Sequence, residues 1–446
     1  MRARLLLVSL TGILFLGTGL VVAIGQPPIT PAPLPPTVTP APPAYLPPSV
    51  TGRPGVGITP ASATKPVAPI ERFEKNLRAY PAETAACIPS TRHAAAWLVR
   101  MNQSDGRFLG GVNPALARPL DGLTDLNQAV ACWGVCRAAK FTGDDKLGAC
   151  AAQAVLTLLT LTKAEAADAN CRAPIAESAK CNRVGLAALI ILCIHDLPAP
   201  DPKLVAEGEK IAAFLKKQCG ADGSIQYTDG AEPALKIDPD GVNLYPGLCF
   251  QALLASDRAK PEQWKRDALI AGMKHYREWF KAHPAPQMAG SMLPAACEQF
   301  LRTKTGTVAE FACEMADQLC GCQYSAGETR DGRTAGAFRI PGQTEPSSNG
   351  AVYAEALACA TTLAAQVPDA TRYAKYRAAC VAGLGFARGL QFNEDSTSHF
   401  EKTFRAQFLL GGVCTSHSNG NIRADRTAML ALAQLRFLES GAEKGE

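Results

Sequence analysis

Aromatic residues are scarce in this 446-residue chain, at 7%, with only four tryptophans and six histidines. That argues against a cavity walled by aromatic rings. It also leaves few indoles to stack on sugars. Long β-branched runs are missing, which excludes a large sheet core, while Ala and Leu dominate. Acidic residues are absent from residues 1–70, which hold only Arg2, Arg4, Arg53 and Lys65. The formal charge of +5 is therefore almost wholly N-terminal, and the rest carries 41 basic and 40 acidic residues. A nearly neutral folded part gives no electrostatic footprint for nucleic acid, and no nucleic-acid partner is expected. No Gly-x-Ser-x-Gly string occurs, so no serine nucleophile elbow is present.

What is present divides the chain into three. Residues 1–25 start with Arg2 and Arg4 and continue as an uncharged apolar run, residues 5–24. Twenty helical residues span about 30 Å, one hydrocarbon thickness. The run reads either as a signal peptide cleaved after Gly25 or as a retained membrane anchor. Both place the remainder outside the cytoplasm, in the periplasm or cell envelope. Residues 26–85 form a Pro-rich spacer, since residues 27–69 hold 15 of the 33 prolines. Such a stretch is expected to be extended or disordered. Residues 86–446 are the folded domain.

The 16 cysteines are spread thinly. Most of them, including Cys132, Cys136, Cys193 and Cys249, lie among Ala, Leu and Val and read as small core residues. Cys171, Cys181, Cys320 and Cys322 are the candidate disulfide formers, in a connectivity that the sequence leaves open. Cys414-x-x-His417 lacks a second pair, so no metal site and no cofactor are expected.

Inside the domain a unit recurs: a helix end, a Gln, an acidic or Gly turn, then an aromatic or apolar residue. It occurs as Gln103-Ser-Asp-Gly-Arg-Phe108, as Gln218 with Asp222-Gly223 and Ile225, as Gln323 with Asp331-Gly332 and Phe338, and as Gln391 with Asp395 and Phe400. Asp105, Asp222 and Asp331 are 117 and 109 residues apart, and each step is long enough for two helical hairpins. Helix signals include Asp201-Pro202 and a Thr307-x-x-Glu310 capping box. Twelve helices are expected, near 90–103, 124–141, 144–162, 179–196, 202–218, 243–256, 261–281, 293–303, 307–321, 348–367, 370–390 and 423–439. Amphipathic ones such as 203–218 alternate with apolar ones such as 184–194. The predicted fold is all-α: a closed α/α toroid of six hairpins, with apolar inner helices and amphipathic outer ones.

The string Gln103 to Phe108 resembles the repeats of squalene cyclases and protein prenyltransferase β subunits. The six-hairpin count resembles the wider α/α-toroid class, including the six-hairpin glycosidases, polysaccharide lyases and sugar epimerases. That resemblance implies a funnel where the inner helices start. Terpene cyclases of the class use Asp-x-Asp-Asp, and Asp238-Pro-Asp240-Gly241 departs from it. The prenyltransferase zinc ligands have no counterpart here.

The residues at the inner-helix starts are therefore the candidates. Glu355, Asp425 and Asp125 are the candidate catalytic acids, Glu355 paired with either Asp. Tyr353, Arg423, Asn349, Asn243 and Tyr245 are the candidate substrate-binding residues. Gln128, Asn182, Arg183 and Arg426 stand beside them. Glu355 is a lone acid in an Ala-rich run, which suits either a general acid with a raised pKa or an inter-helix salt bridge to an Arg. Two functions fit. One is an exported carbohydrate-active enzyme of glycosidase, polysaccharide lyase or epimerase type, its partner a polysaccharide or other envelope component. The other is a non-catalytic envelope binding or scaffold protein. A terpenoid cyclase or prenyltransferase-like activity ranks third.

Overall fold

The computed structural model describes residues 68–75, 77–175, 182–228, 241–328 and 332–440. The expected export segment and most of the spacer lie outside the described residues. The spacer was expected to reach residue 85, and here the structure differs. A short helix α1 (Pro69–Lys75) precedes α2 (Ala82–Met101). Ile70 and Phe73 of α1 are completely buried, so two apolar side chains suffice to fold the end of that stretch onto the domain.

Among the described residues the chain then makes six hairpins, each an outer helix followed by an inner one. These are α2 with α3 (Asp125–Thr142), α4 (Asp145–Thr160) with α5 (Arg183–His195), and α6 (Pro202–Gln218) with α7 (Gly241–Ala259). Next come α8 (Gln263–Ala282) with α9 (Pro286–Thr303), α10 (Gly306–Gly321) with α11 (Ala351–Gln366), and α12 (Ala370–Gly389) with α13 (Ala424–Glu439). Each inner helix packs on the next in the order α3, α5, α7, α9, α11, α13, and α13 packs back on α3. The ring is closed. The outer helices cover it from outside, and α2 seats against α13 across the closure. The six-hairpin toroid expected from the sequence is the fold. Among the described residues no helix is long and apolar enough to cross a membrane.

Burial explains the two kinds of helix. Every residue from Val184 to Ile194 of α5 is buried, because a wall helix has neighbours on all sides. Outer α6 buries one stripe, including Gly208, Ile211 and Leu215, and leaves its charges to water. Asp201 caps α6 by accepting from the Lys203 amide at 2.8 Å, with Pro202 at the first helical position. The capping box at Thr307 does not form. The α10 helix already starts at Gly306, behind Thr305, which makes no side-chain cap bond.

The two ends of the ring differ. Inner helices pass to outer ones through short turns, residues 143–144, 196–201, 260–262, 304–305 and 367–369. Outer helices reach inner ones through longer segments at the other end, apart from the three residues 283–285 between α8 and α9. The repeated sequence unit builds that end. Single β-bridges join Asn102 to Phe108, Cys219 to Ile225 and Gln323 to Phe338, folding each outer-helix end onto its loop. In the fourth unit Gln391 bridges Val413, not Phe400. Phe400 instead begins an aromatic row with Phe404 and Phe408. Gly106 and Gly223 have φ of 83° and 90°, as the Asp-Gly turns require. Each also lies against the following outer helix, where a Cβ at Gly106 would fall 2.4 Å from Thr157 Oγ1 of α4.

Two short sheets decorate the loops. The strand β1 (Gly111–Asn113) pairs with β2 (Arg118–Pro119), and β3 (Thr162–Glu165) pairs with β4 (Asp168–Pro174). The strand β5 (Ile422–Arg423) pairs with β1, so the last loop is tied to the first. Ser348 N donates to Thr415 O at 2.9 Å, tying the last loop to the fifth as well.

At the short-turn end, Phe73 of α1 meets Phe141 near the end of α3 with ring centroids 5.8 Å apart. Arg72 donates to the Leu438 carbonyl at 3.3 Å. Of the cysteines expected to bridge, the three among the described residues do not. Cys320 and Cys322 are both free thiols, because residues two apart on a helix end do not face one another. Cys171 is a free buried thiol, and Cys181 lies outside the described residues.

Candidate functional site

The inner helices run parallel, so their starts gather at the long-loop end. The best-defined side chains there are on α13. Arg423 stands at its N-cap, held extended by the β1 pairing. The Arg423 carbonyl accepts from Thr427 Oγ1 at 2.9 Å, and that same hydroxyl oxygen accepts from the Val413 amide at 3.0 Å. Asp425 is 1% exposed and accepts from Arg423 Nε at 3.0 Å. Its second oxygen faces Arg426 Nε at 3.7 Å. One carboxylate thus holds two guanidinium groups at a helix N-terminus, leaving one positive charge in excess where the helix dipole is also positive. Burial pushes the Arg426 guanidinium pKa down, and Asp425 opposes the shift.

The two tyrosines are buried in the wall. Tyr245 of α7 packs on Gly185 of α5, where a Cβ would lie 2.5 Å from its ring. Tyr353 of α11 packs on Gly290 of α9 in the same way, at 2.7 Å, and meets Phe338 edge-on at 5.5 Å. Both rings fill glycine notches between neighbouring wall helices, so they serve the wall. Asn243 has a buried side-chain oxygen without a partner among the described residues. Asn349 lies in a single turn capped by Ser347, which accepts from the Asn349 amide at 3.3 Å.

Of the three acids, the structure brings none into contact with another. Asp125 is the first residue of α3, behind Thr124, which makes the cap. It lines a crevice between α3 and α4 with Gly106, Arg107, Gln128 and Thr157. Burial raises its pKa, and Arg107 draws it back down. Glu355 is on the other side of the wall. Its Oε1 meets Arg137 Nη1 at 3.4 Å and Arg436 Nε at 3.6 Å. The α3 and α11 helices are not neighbours, since α13 stands between them, so the Arg137 contact crosses the interior of the ring.

That contact belongs to an axial plug. Arg137 is 4% exposed. It also pairs with Glu439 and lies 3.8 Å from Asp196. Asp196 accepts from Trp133 Nε1 at 2.7 Å and faces Lys140 at 3.7 Å. Below the plug, towards the short turns, lies a polar hollow of about 140 Å³ lined by Trp133, Asp196, Gln251, Glu298 and others. Sequence reasoning missed Arg137, although it is a lone charge in the buried run from Ala131 to Ala139. The same signal had singled out Glu355.

Burial alone would raise the Asp196 carboxyl, but Arg137, Trp133 and Lys140 hold it below its usual value. As pH falls below about 4, the unfolded chain therefore takes up this proton more readily than the folded one. The stabilisation by Asp196, complete at neutral pH, is lost as pH falls through the folded-state pKa. Asp196→Asn is expected to be less stable at pH 7 and to show a flatter decline of urea-unfolding free energy from about pH 5 to pH 3. A decline as steep as the parent's contradicts the assignment.

No protein-family model matches this sequence, and no curated protein does. Solved structures do resemble it. An unsaturated glucuronyl hydrolase specific for heparin is 15% identical, with 80% of this chain and 98% of that chain covered and a TM-score of 0.53. The α-1,6-mannanase of Salegentibacter sp. HEL1_6 is 9% identical, covering 79% and 99% at a TM-score of 0.54. A D-mannose isomerase is 11% identical, covering 80% and 99% at 0.55. At these identities the likeness establishes the six-hairpin fold.

Proposed function

We propose that the protein is a carbohydrate-active toroid that takes an acidic saccharide at the long-loop end, where the inner helices start. The observation that carries this reading is the Arg423–Asp425–Arg426 group, two guanidiniums positioned by a buried carboxylate at the start of a wall helix. A guanidinium fork matches a carboxylate or sulfate of a sugar in two parallel hydrogen bonds. The three solved structures are of sugar enzymes by name, which supports a saccharide ligand by analogy of fold. The export reading of residues 1–25 fits the same proposal, since it places the ring outside the cytoplasm, where polysaccharides are met.

A non-catalytic, binding role is favoured by one observation. Glu355 is engaged by two arginines inside the plug and is not poised against a second acid. If turnover occurs, Asp125 is the better candidate for a proton donor, because burial raises its pKa without a salt bridge.

The test is binding by calorimetry to acidic and neutral oligosaccharides of equal length. Acidic ones are expected to bind more tightly. Arg426→Ala is expected to weaken them by about tenfold or more, in keeping with about 1.5–3 kcal/mol for a hydrogen bond to a charged group. Equal binding of neutral and acidic sugars, or no loss in Arg426→Ala, refutes the proposal.

A further inference from the structure

Three cysteines meet inside the ring wall. Cys132 and Cys136 are one turn apart on α3, and Cys193 reaches them from the neighbouring α5. The sulfurs of Cys132 and Cys136 are 3.9 Å apart, and all three lie within 4.8 Å of one another. Each of the three residues is completely buried. We propose that Cys132, Cys136 and Cys193 form a three-sulfur site for a soft monovalent ion, Cu(I).

Geometry supports the bond length. With one pair of sulfurs 3.9 Å apart and the others no more than 4.8 Å, an ion equidistant from the three sits about 2.3–2.6 Å from each, so a small inward shift of the side chains brings all three to a metal–thiolate distance of about 2.3 Å. The donor set supports the ion. Thiolate sulfur selects soft ions such as Cu(I), whereas a structural Zn(II) site takes four ligands in a tetrahedron. Here no fourth Cys, His or carboxylate joins the three among the described residues, and the nearby Ala129 carbonyl accepts the Cys193 thiol at 3.4 Å.

All three sulfurs are shut off from solvent. Each cysteine that ligates Cu(I) does so as a thiolate, so binding by all three releases their three S–H protons to solvent and is favoured as pH rises. No redox step is involved, because copper arrives and stays as Cu(I). The location also gives the ion a structural effect, since it would bind α3 to α5 in the wall.

The test uses the reduced chain under anaerobic conditions, titrated with Cu(I) against a chromophoric Cu(I) chelator. It is run both on native protein and during refolding from urea, because the site is closed in the folded state. The expected result is one tightly held equivalent, three sulfur neighbours at about 2.3 Å by X-ray absorption, and a raised melting temperature. Cys193→Ala and Cys136→Ala, each checked for folding by circular dichroism, are expected to lose that equivalent and the rise in melting temperature. Cys249→Ala is expected to keep both. The proposal is overturned if no equivalent binds in either preparation, or if binding survives Cys193→Ala. Oxygen or nitrogen neighbours in place of sulfur overturn it too, as does a native disulfide between Cys193 and either partner found by peptide mapping.

Discussion

Replacing Arg137 by alanine is expected to lower stability by about 3–5 kcal/mol at neutral pH, the usual result of removing one partner from a buried ion pair. Arg137 faces Glu355, Glu439 and Asp196 together. Without it Glu355, whose side chain is 8% exposed, keeps only Arg436, and Asp196 keeps Lys140 and Trp133. The loss comes from carboxylates left in a dry interior more than from attraction forgone. A second variant separates the two. Arg137→Met with Glu355→Leu removes both buried charges and is expected to recover much of the loss, since apolar replacements of buried pairs are often neutral. Urea unfolding of the parent, Arg137→Ala and the double variant measures this. A change below about 1 kcal/mol in Arg137→Ala would show that water reaches the plug freely, as at surface ion pairs. Glu355→Gln should likewise lose stability and leave any saccharide binding intact, the outcome that its sequence position alone left open.

Gly223→Ala is expected to be nearly as damaging. Gly223 has φ of 90°, and an added Cβ would lie 2.3 Å from the Ala271 carbonyl carbon and oxygen in α8. The positive φ costs about 1–2 kcal/mol for a residue with a Cβ. Forcing apart two packed backbones adds about 1–3 kcal/mol. Gly332 is the internal control. It is the turn glycine of a sister repeat, at φ of 70°, and a Cβ there meets nothing within 4 Å. Gly332→Ala should therefore lose the conformational term alone. Equal losses at the two positions would mean that the contact with α8 contributes nothing.

The same turns show how much of the fold was legible. Asp105 and Asp222 mark the first and third hairpins because local chemistry, a tight turn after an outer helix, is written locally. The runs 184–194 and 203–218 declared inner and outer helices through burial on all sides or on one. The site was legible only as a list of helix starts. Sequence spacing placed Tyr353 on the helix but could not show that Gly290 of another helix opens a notch for it. Glu355 was rightly singled out as a buried acid, yet its partners Arg137 and Arg436 come from positions 218 residues before it and 81 after it. Only ring closure brings them together. Arg423 and Asp425, two apart in sequence, are in contact because Arg423 is an extended N-cap residue and not part of the helix, which helical spacing alone did not foretell.

The position of α1 has a practical consequence. Residue 68 lies against Gly143, at the turn between the first inner helix and the second outer one. Residue 440 is reached by Thr362 Oγ1 at 3.1 Å near the end of α11. Both points at which the described chain leaves the ring are thus on the short-turn side. Attaching the domain to a sensor surface, a bead or a fused partner at either point presents the opposite side, with Arg423 and Arg426, to the solution. A probe offered to an immobilised ring then meets the long-loop side first, the side that also carries the loop between residues 390 and 423.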